Sequence, residues 1–191
     1  MNEIVSYLDY TKECYLELFD SSLIFFKDTK HNIEVYNDIN DEIYNLSYCL
    51  QFKREETEYI VNNNIITGIR DKDISRAINT LLKYSVLFKY NSLIYTLDRI
   101  YDRMRVVTIL NTGIDSVMMS VMNKDYVNVY IDIAYDLKRS EFDLIMDFLN
   151  NTMCSVLVRT TTELSCDLDG VRVGNHFVYS NYALSRYGLL I

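Results

Sequence analysis

The strongest structural signal in the sequence is the stretch DISRAINTLLKYSVLF, residues 73–88. Its apolar residues recur at helical spacing, and Asp73 stands before them as a suitable N-cap. The stripe consists of Ile74, Ala77, Ile78, Leu81, Leu82 and Phe88. The stretch therefore predicts a helix that buries one face in a protein core.

Apolar stripes with the same period continue on both sides of this helix. They occur in segments 4–18, 36–50, 93–104, 114–122, 127–137 and 142–153. Repeated stripes of this kind, joined by short polar segments, are typical of a compact helical bundle. The sequence therefore predicts a mainly α fold, with a multi-helix body over residues 1–153 of a single domain spanning 1–191.

The last part of the sequence, residues 154–191, has a different pattern. Its β-branched residues alternate with polar ones in two runs, and Asp167-Leu168-Asp169-Gly170 lies between the runs as a turn signal. Such alternation around a turn predicts a β-hairpin over residues 155–179. Residues 181–191 are predicted to form a short final helix.

Composition and charge narrow the function classes. The 191 residues include 27 Asp and Glu against 19 Lys and Arg, a net charge of −8, with no Pro, no Trp and only five Gly. An acidic protein repels nucleic-acid phosphates, so nucleic acid is not an expected partner. No apolar run reaches the roughly 18–20 residues that span a bilayer. We therefore expect a soluble, cytoplasmic protein with no membrane span.

Few residues suit catalysis or metal binding. The two histidines, His31 and His176, stand alone, and the four cysteines form no Cys-x-x-Cys pair. No glycine-rich phosphate-binding motif is present either. These features predict a protein that is not an enzyme and has no cofactor and no metal site. A nucleophile–base pair of His176 with Cys154 or Cys166 stays open as an alternative.

Tyrosine and acidic residues supply other candidate sites. The 17 tyrosines are suited to interfaces, because each side chain has an apolar body and a polar end. The candidate binding faces are Tyr36, Tyr44 and Tyr48, or Tyr95 and Tyr101. The neighbouring residues Asp38, Asp41 and Glu42 are interpreted as a charged helix start rather than a divalent-ion site.

One segment resembles a known family. The residues IRDKDISRAINTLL, numbered 69–82, place a polar turn before an apolar central helix. Over about residues 60–90 this pattern, together with the composition, is similar to the divergent central region of the Bcl-type apoptosis regulators of poxviruses. The resemblance implies a small intracellular viral protein with a hydrophobic groove that accepts an amphipathic partner helix.

The resemblance also implies site residues and a function. Ile74, Ala77 and Leu81 would line the groove, and Arg76 would pair with an acidic residue of the partner. The leading hypothesis is a non-enzymatic interaction protein that neutralises a host protein in the host cytosol, in apoptosis regulation or immune evasion. The alternatives are a structural or assembly component of a virus or phage particle, such as an adaptor or minor capsid protein, and an enzyme that uses scattered carboxylates or a Cys–His pair. The identity of the host or viral protein partner and the oligomeric state stay open.

Overall fold

A computed structural model describes residues 2–18, 31–133, 139–164, 166, 168–182 and 184. The protein divides into two compact units. The first, called the sheet unit here, comprises residues 1–39 and 112–191, and the second, called the helical unit, comprises residues 40–111. Whether the protein folds as the single domain expected from its sequence stays a prediction.

The secondary structure mixes helices and strands. In sequence order, the described elements are α1 (Asn2–Val5), β1 (Cys14–Leu18), β2 (Ile33–Asn37), α2 (Glu42–Phe52), α3 (Arg54–Asn62), α4 (Lys72–Phe88), α5 (Leu93–Met104), β3 (Thr108–Leu110), α6 (Ile114–Val121), β4 (Val127–Ile133), α7 (Arg139–Asn151), β5 (Ser155–Thr160), β6 (Asp169–Val173) and β7 (His176–Ser180).

Six strands of the sheet unit pair in the order β2-β1-β4-β5-β7-β6. The first four run parallel, whereas β7 is antiparallel to both β5 and β6. Strands β1 and β4 are buried along their whole length. Parallel strands with both faces covered are typical of α/β folds, in which crossover connections cover the sheet.

One face of this sheet forms the apolar core. Val127, Val129, Ile131 and Ile133 alternate along β4 and point to the same side. They pack with α6 and α7 through the buried side chains of Val117, Met118, Ile145, Phe148 and Leu149. Because successive side chains of a strand point to opposite faces, every second residue of β4 places a β-branched side chain on this one face.

The prediction of a mainly α helical bundle was wrong, because the protein has an α/β fold built on a mixed sheet. The stripes over 4–18, 36–50 and 127–137 were interpreted as helical, yet residues 14–18, 36–37 and 127–133 lie in β1, β2 and β4. All three strands are short, and the apolar residues of a short segment fit a helical stripe as well as a strand. Periodicity alone does not separate such runs from helices.

The β structure predicted near the C-terminus is present, but it is paired differently. The tight turn lies at Gly174 and Asn175, between β6 and β7, whereas Asp169 and Gly170 belong to β6 itself. Gly174 has a φ of 60°, a left-handed conformation that glycine adopts without a Cβ clash. Strand β5 then pairs with β7. The final helix predicted over 181–191 lies almost wholly outside the described residues.

The helical unit contains the best-predicted element. The helix expected over residues 73–88 is confirmed as α4, although its N-cap is Asp71. The Asp71 carboxylate accepts hydrogen bonds from the backbone N–H groups of Asp73 and Ile74, at 2.9 and 3.0 Å. These two hydrogen bonds satisfy two of the backbone N–H groups that have no partner within the helix at its first turn. Helix α2 packs on α4 in the core of this unit.

Hydrogen bonds hold the entry and the exit of the helical unit close together, one set within the sheet unit and one bond within the helical unit. The Asn37 amide group at the end of β2 donates to the Thr112 carbonyl at 3.0 Å, and the Thr112 N–H donates back at 3.2 Å. In the helical unit, the Asn111 amide donates to the Asp41 carboxylate at 3.0 Å. The helical unit is therefore an insertion whose entry and exit meet, the kind of site where domain insertion is tolerated.

Replacing Asn37 by Ala is expected to lower the free energy of unfolding by about 1–3 kcal/mol, because a fully buried side chain with two hydrogen bonds is lost. Chemical denaturation measures this change. Asn151→Ala is the matched control, since the exposed Asn151 side chain also makes two hydrogen bonds, both to Asp147. Equal effects of the two substitutions would contradict a fastening role for Asn37.

Candidate functional site

The carboxyl ends of the parallel strands form the first candidate site. Strands β2 and β4 lie on opposite sides of β1, so the strand order reverses between β1 and β4. In open α/β sheets, ligands bind outside the carboxyl ends of the strands at such a reversal. Glu17 in β1, Asp38 directly after β2, and Asp132 in β4 bring three carboxylates to this region.

The sheet face opposite the apolar core is polar over four strands. Strand register places Tyr36, Glu17 and Tyr130 side by side, and it places Asp132 beside Arg159. We call this surface the polar face; its members are Tyr15, Glu17, Tyr36, Asn128, Tyr130, Asp132, Ser155 and Arg159. All but Arg159 are buried, and Arg159 is partly buried. Buried polar groups must be paired to remain stable, so their contacts decide what this face does.

Arg159 connects three strands of the polar face. Its Nη1 lies 3.1 Å from Asp132 Oδ2 on β4, and both side chains are nearly excluded from solvent. Its Nη2 lies 3.4 Å from Nε2 of His176 on β7. Burial and the neighbouring guanidinium together lower the pKa of His176, so the neutral ring accepts the hydrogen bond from Arg159.

Two tyrosines of the polar face, Tyr15 and Tyr130, are fully buried. The Tyr15 hydroxyl donates to Glu17 Oε2 at 3.1 Å. Burial, followed by the charge of Glu17, raises the pKa of Tyr15 well above its usual value. Burial and the charge of Asp132 raise the pKa of Tyr130 in the same way. Both phenols therefore stay protonated, which suits a donor and not a catalytic phenolate.

A second polar cluster, around Asp9, connects the segment before β1 to β5. The Asp9 carboxylate accepts from the Thr11 N–H at 3.0 Å and from the Ser155 hydroxyl at 2.9 Å. Burial acts to raise the pKa of Asp9, but these hydrogen bonds outweigh it and the pKa is lowered. The His31 ring stacks on Tyr15 with centroids 5.3 Å apart. The cluster is a network of satisfied groups inside one unit.

Two of the three carboxylates near the carboxyl ends of the strands are closed to solvent. Glu17 and Asp38 have no exposed surface, so a substrate does not reach them in this conformation. Of the two thiols proposed as partners of His176, that of Cys154 donates to the Val121 carbonyl at 3.0 Å, and the His176 ring contacts Arg159. Burial also raises the pKa of Cys154, which disfavours the reactive thiolate. Within the described ranges, no cluster of three His, Cys, Asp or Glu side chains could hold a metal ion.

The residues predicted to bind a partner lie on α4, but they are not together on a surface. Ile74, Ala77 and Leu81 have no exposed surface and belong to the core of the helical unit. Arg76 is exposed and pairs with Asp41 of the same unit, at 3.0 Å between Nη2 and Oδ2. A partner helix reaches the three apolar residues only if the unit opens, which favours a core role for them.

The candidate tyrosines divide between core and surface. Tyr36 is fully buried in the sheet unit, whereas Tyr44, Tyr48 and Tyr95 are exposed in the helical unit. Tyr101 is half-buried, and the Arg54 guanidinium lies 5.2 Å from its ring centre. The exposed tyrosines of α2 and α5 are therefore accessible to a partner, whereas Tyr36 in β2 is not.

A groove on the helical unit is the second candidate site. Tyr44, Tyr48 and Phe52 follow one face of α2 at intervals of four residues, and the rings of Tyr48 and Phe52 lie 5.0 Å apart. Met104, Val107 and Ile109 form the opposite wall of a cavity of about 210 Å³. We call this site the aromatic groove. Its walls are formed by α2, the end of α5 and the following segment with β3, so binding there needs little ordering.

Sequence reasoning missed the polar face, including Glu17, Asp132 and Arg159. A signal for it exists in VNVYIDI, residues 127–133, where polar residues alternate with β-branched ones. That alternation indicates a strand with one polar face. The partners on other strands carry no such signal, because register brings them together only in the folded sheet.

No protein-family model matches the sequence, and neither does any curated protein. The strand order and its reversal at β1 define the class: an α/β protein with a mixed, mostly parallel sheet and an inserted helical unit. Among the described helices, none has both the length and the apolar character needed to cross a membrane.

Replacing Arg159 by Met is expected to destabilise the protein by about 3–5 kcal/mol, because Asp132 keeps a buried charge without its guanidinium partner. The double variant Asp132→Asn with Arg159→Met is expected to recover part of this loss. Chemical denaturation of both variants tests the pairing. Arg172→Met is the control, since Arg172 is exposed on β6; a similar loss there would exclude a specific role for the ion pair.

His176 is expected to make stability depend on pH. Its lowered pKa means that the folded state favours the neutral ring, so the contribution is present above the unfolded pKa of about 6.5 and is lost as pH falls through the folded pKa. His176→Gln keeps a hydrogen-bond acceptor but does not titrate, and it is expected to flatten the pH dependence of the unfolding free energy below about pH 6.5. An NMR titration that places the pKa of His176 above that of an unfolded histidine would contradict this assignment.

Proposed function

We propose that this protein is a non-enzymatic protein-binding protein whose partner docks on the helical unit, residues 40–111. The observation that carries the proposal is the distribution of exposed apolar side chains. Among the described residues, sixteen large apolar side chains are exposed, and eleven of them lie in the helical unit. They are Tyr44, Tyr48, Phe52, Tyr59, Ile65, Ile66, Val86, Leu87, Ile94, Tyr95 and Val106.

The exposed fractions are large for bulky apolar groups. Phe52 is 65% exposed and Tyr59 is 62% exposed, on consecutive helices of one unit. Exposed apolar side chains are ordinary when scattered, but a concentration of aromatic ones is characteristic of surfaces that bind proteins. The aromatic groove offers such a surface a place for one apolar anchor of the partner.

The distribution of charged residues between the two units also favours partner binding on the helical unit. The helical unit has ten Lys and Arg against nine Asp and Glu, whereas the sheet unit has nine against eighteen. The sheet unit therefore has a net charge of −9 and the helical unit one of +1, so the sheet unit repels other acidic proteins. The nearly neutral helical unit imposes no such barrier, so an acidic or neutral partner approaches it more easily.

The sequence resemblance supplies the kind of partner. A viral interaction protein in the host cytosol would bind a host protein, and an amphipathic helix would place an apolar side chain in the aromatic groove. In this proposal the groove lies beside α2 and the end of α5, and not beside Ile74, Ala77 and Leu81. Those three residues stabilise α4, which supports α2 from within.

Two features support the absence of enzyme activity. Residues 19–30, which follow β1, contain no glycine, and glycines are what allow a phosphate-bearing ligand close to the first turn of a doubly wound sheet. The carboxylates of Glu17 and Asp132 are buried and bonded inside the protein. They are suited to holding the sheet together and not to exchanging protons with a substrate.

The strand order favours one second candidate. The strand order reverses between β1 and β4, and nucleotide cofactors bind at such a reversal in open α/β sheets. A ligand of that class would bind at the carboxyl edge near Asp38. Thermal denaturation with ATP and with S-adenosylmethionine tests this candidate, and an unchanged midpoint with both counts against it.

Site-specific photo-crosslinking tests the leading proposal. With benzoyl-phenylalanine in place of Phe52, we expect one defined adduct with a partner protein in the cells that express the protein, because Phe52 lines the aromatic groove. The adduct is expected to disappear when Tyr48→Asp is added, since a charge in the groove opposes apolar contact.

The matched control places the same crosslinker at Met119, which is 73% exposed on α6 of the sheet unit. Capture of the same proteins from both positions would show nonspecific contact, and absence of any adduct from position 52 would remove the proposal. Circular dichroism of each variant checks that the fold is retained.

A further inference from the structure

A second cavity of the helical unit lies apart from the aromatic groove. It has a volume of about 400 Å³ and is bounded by the end of α3, the end of α4 and the start of α5. Its lining includes Asn62, Asn64, Ile66, Asn91, Ser92 and Ile94, and we call it the amide pocket. The volume is within the range of about 300–1,000 Å³ typical of ligand sites.

The amide pocket has no charged lining residue. In a protein in which 24% of residues are charged, its walls consist only of amide, hydroxyl, phenol and aliphatic side chains. An ionic ligand would lose hydration there without a counter-charge, which is costly. The lining therefore selects a neutral ligand that has both an apolar part and hydrogen-bonding groups.

The two walls carry amide groups that are available to a ligand. Asn62 and Asn64 stand on the α3 side, and Asn91 stands between α4 and α5. Within the part of the sequence that the structure describes, these three side chains make no hydrogen bond. Each combines a donor and an acceptor, the same pair that a peptide unit presents, so each can bond both a backbone N–H and a backbone carbonyl.

The walls are also preformed. Asn64 and Lys89 end α3 and α4 in left-handed conformations, with φ of 52° and 56°. After each of them the next amide returns to its helix: the Ile65 N–H donates to the Ile60 carbonyl and the Tyr90 N–H to the Ser85 carbonyl, both at 2.9 Å. Paired closures of this type hold a helix end in one conformation. A ligand then binds without having to order the loops.

We infer that the amide pocket binds an uncharged, extended peptide segment of a partner protein, with its backbone bonded by Asn62, Asn64 and Asn91 and an aliphatic or aromatic side chain on Ile66 and Ile94. The inference rests on the proposed function in placing partner binding on residues 40–111. It adds a second contact surface and the chemistry of the segment that occupies it. A peptide segment meets both requirements of this lining, because each peptide unit supplies a donor and an acceptor for the amides and its side chain supplies the apolar part.

A random peptide library displayed on phage, selected against the full-length protein, tests this inference. We expect enrichment of sequences without Asp, Glu, Lys or Arg around a central aliphatic or aromatic residue. A synthetic peptide of the enriched sequence, blocked at both ends, then serves as the probe in isothermal titration calorimetry. The double variant Asn62→Asp with Asn91→Asp is expected to bind this probe about tenfold more weakly, because each substitution replaces a donor by a charge.

Two controls separate the possible failures. Asn79→Asp adds the same charge at an exposed position of α4 outside the pocket and is expected to leave binding unchanged. Phe52→Asp, in the aromatic groove, is also expected to leave binding of the probe unchanged, so loss of the crosslink at position 52 and loss of peptide binding are independent results. Enrichment of charged sequences, no enrichment, or equal binding by the double variant would overturn the inference.

Discussion

The pairing of β1 with parallel strands on both sides is the constraint on which the rest of the structure depends. Residues Cys14–Leu18 pair with β2 on one side and with β4 on the other, so none of the backbone polar groups of β1 faces water at a sheet edge. Parallel neighbours cannot be joined by a tight turn and need long connections. One of these connections contains the helical unit, and both faces of β1 must be covered.

The two faces of the sheet are stabilised by different forces. One face buries β-branched side chains against α6 and α7, and the hydrophobic effect dominates there. The other buries the ion pair of Asp132 with Arg159 and the tyrosine–glutamate contact of Tyr15 with Glu17. Such contacts contribute little net stability compared with apolar packing, but an unpaired member is costly. The polar face therefore restricts the register of the strands more than it stabilises them.

The helical unit is separable from these requirements. Hydrogen bonds join the residues that flank its two ends. Asn37 donates to Thr112 in the sheet unit, and Asn111 donates to Asp41 in the helical unit. An insertion closed in this way can change its surface without changing the strand order of the sheet. This freedom accounts for the unequal distribution of exposed apolar residues and charge between the units, and it places the proposed binding surfaces on residues 40–111.

By itself the sequence determined the helix α4, the β character of residues 155–180, the acidic charge and the scarcity of glycine and histidine. These are local or summed properties, and they need no knowledge of which segments meet. Only the tertiary structure decided that segments 14–18, 33–37 and 127–133 are strands, because short segments of this kind fit a helical stripe as well as a strand. It also decided that Ile74, Ala77 and Leu81 are core residues and that Arg159 meets Asp132 and His176. Those contacts depend on strand register and helix packing, which join residues far apart in the sequence.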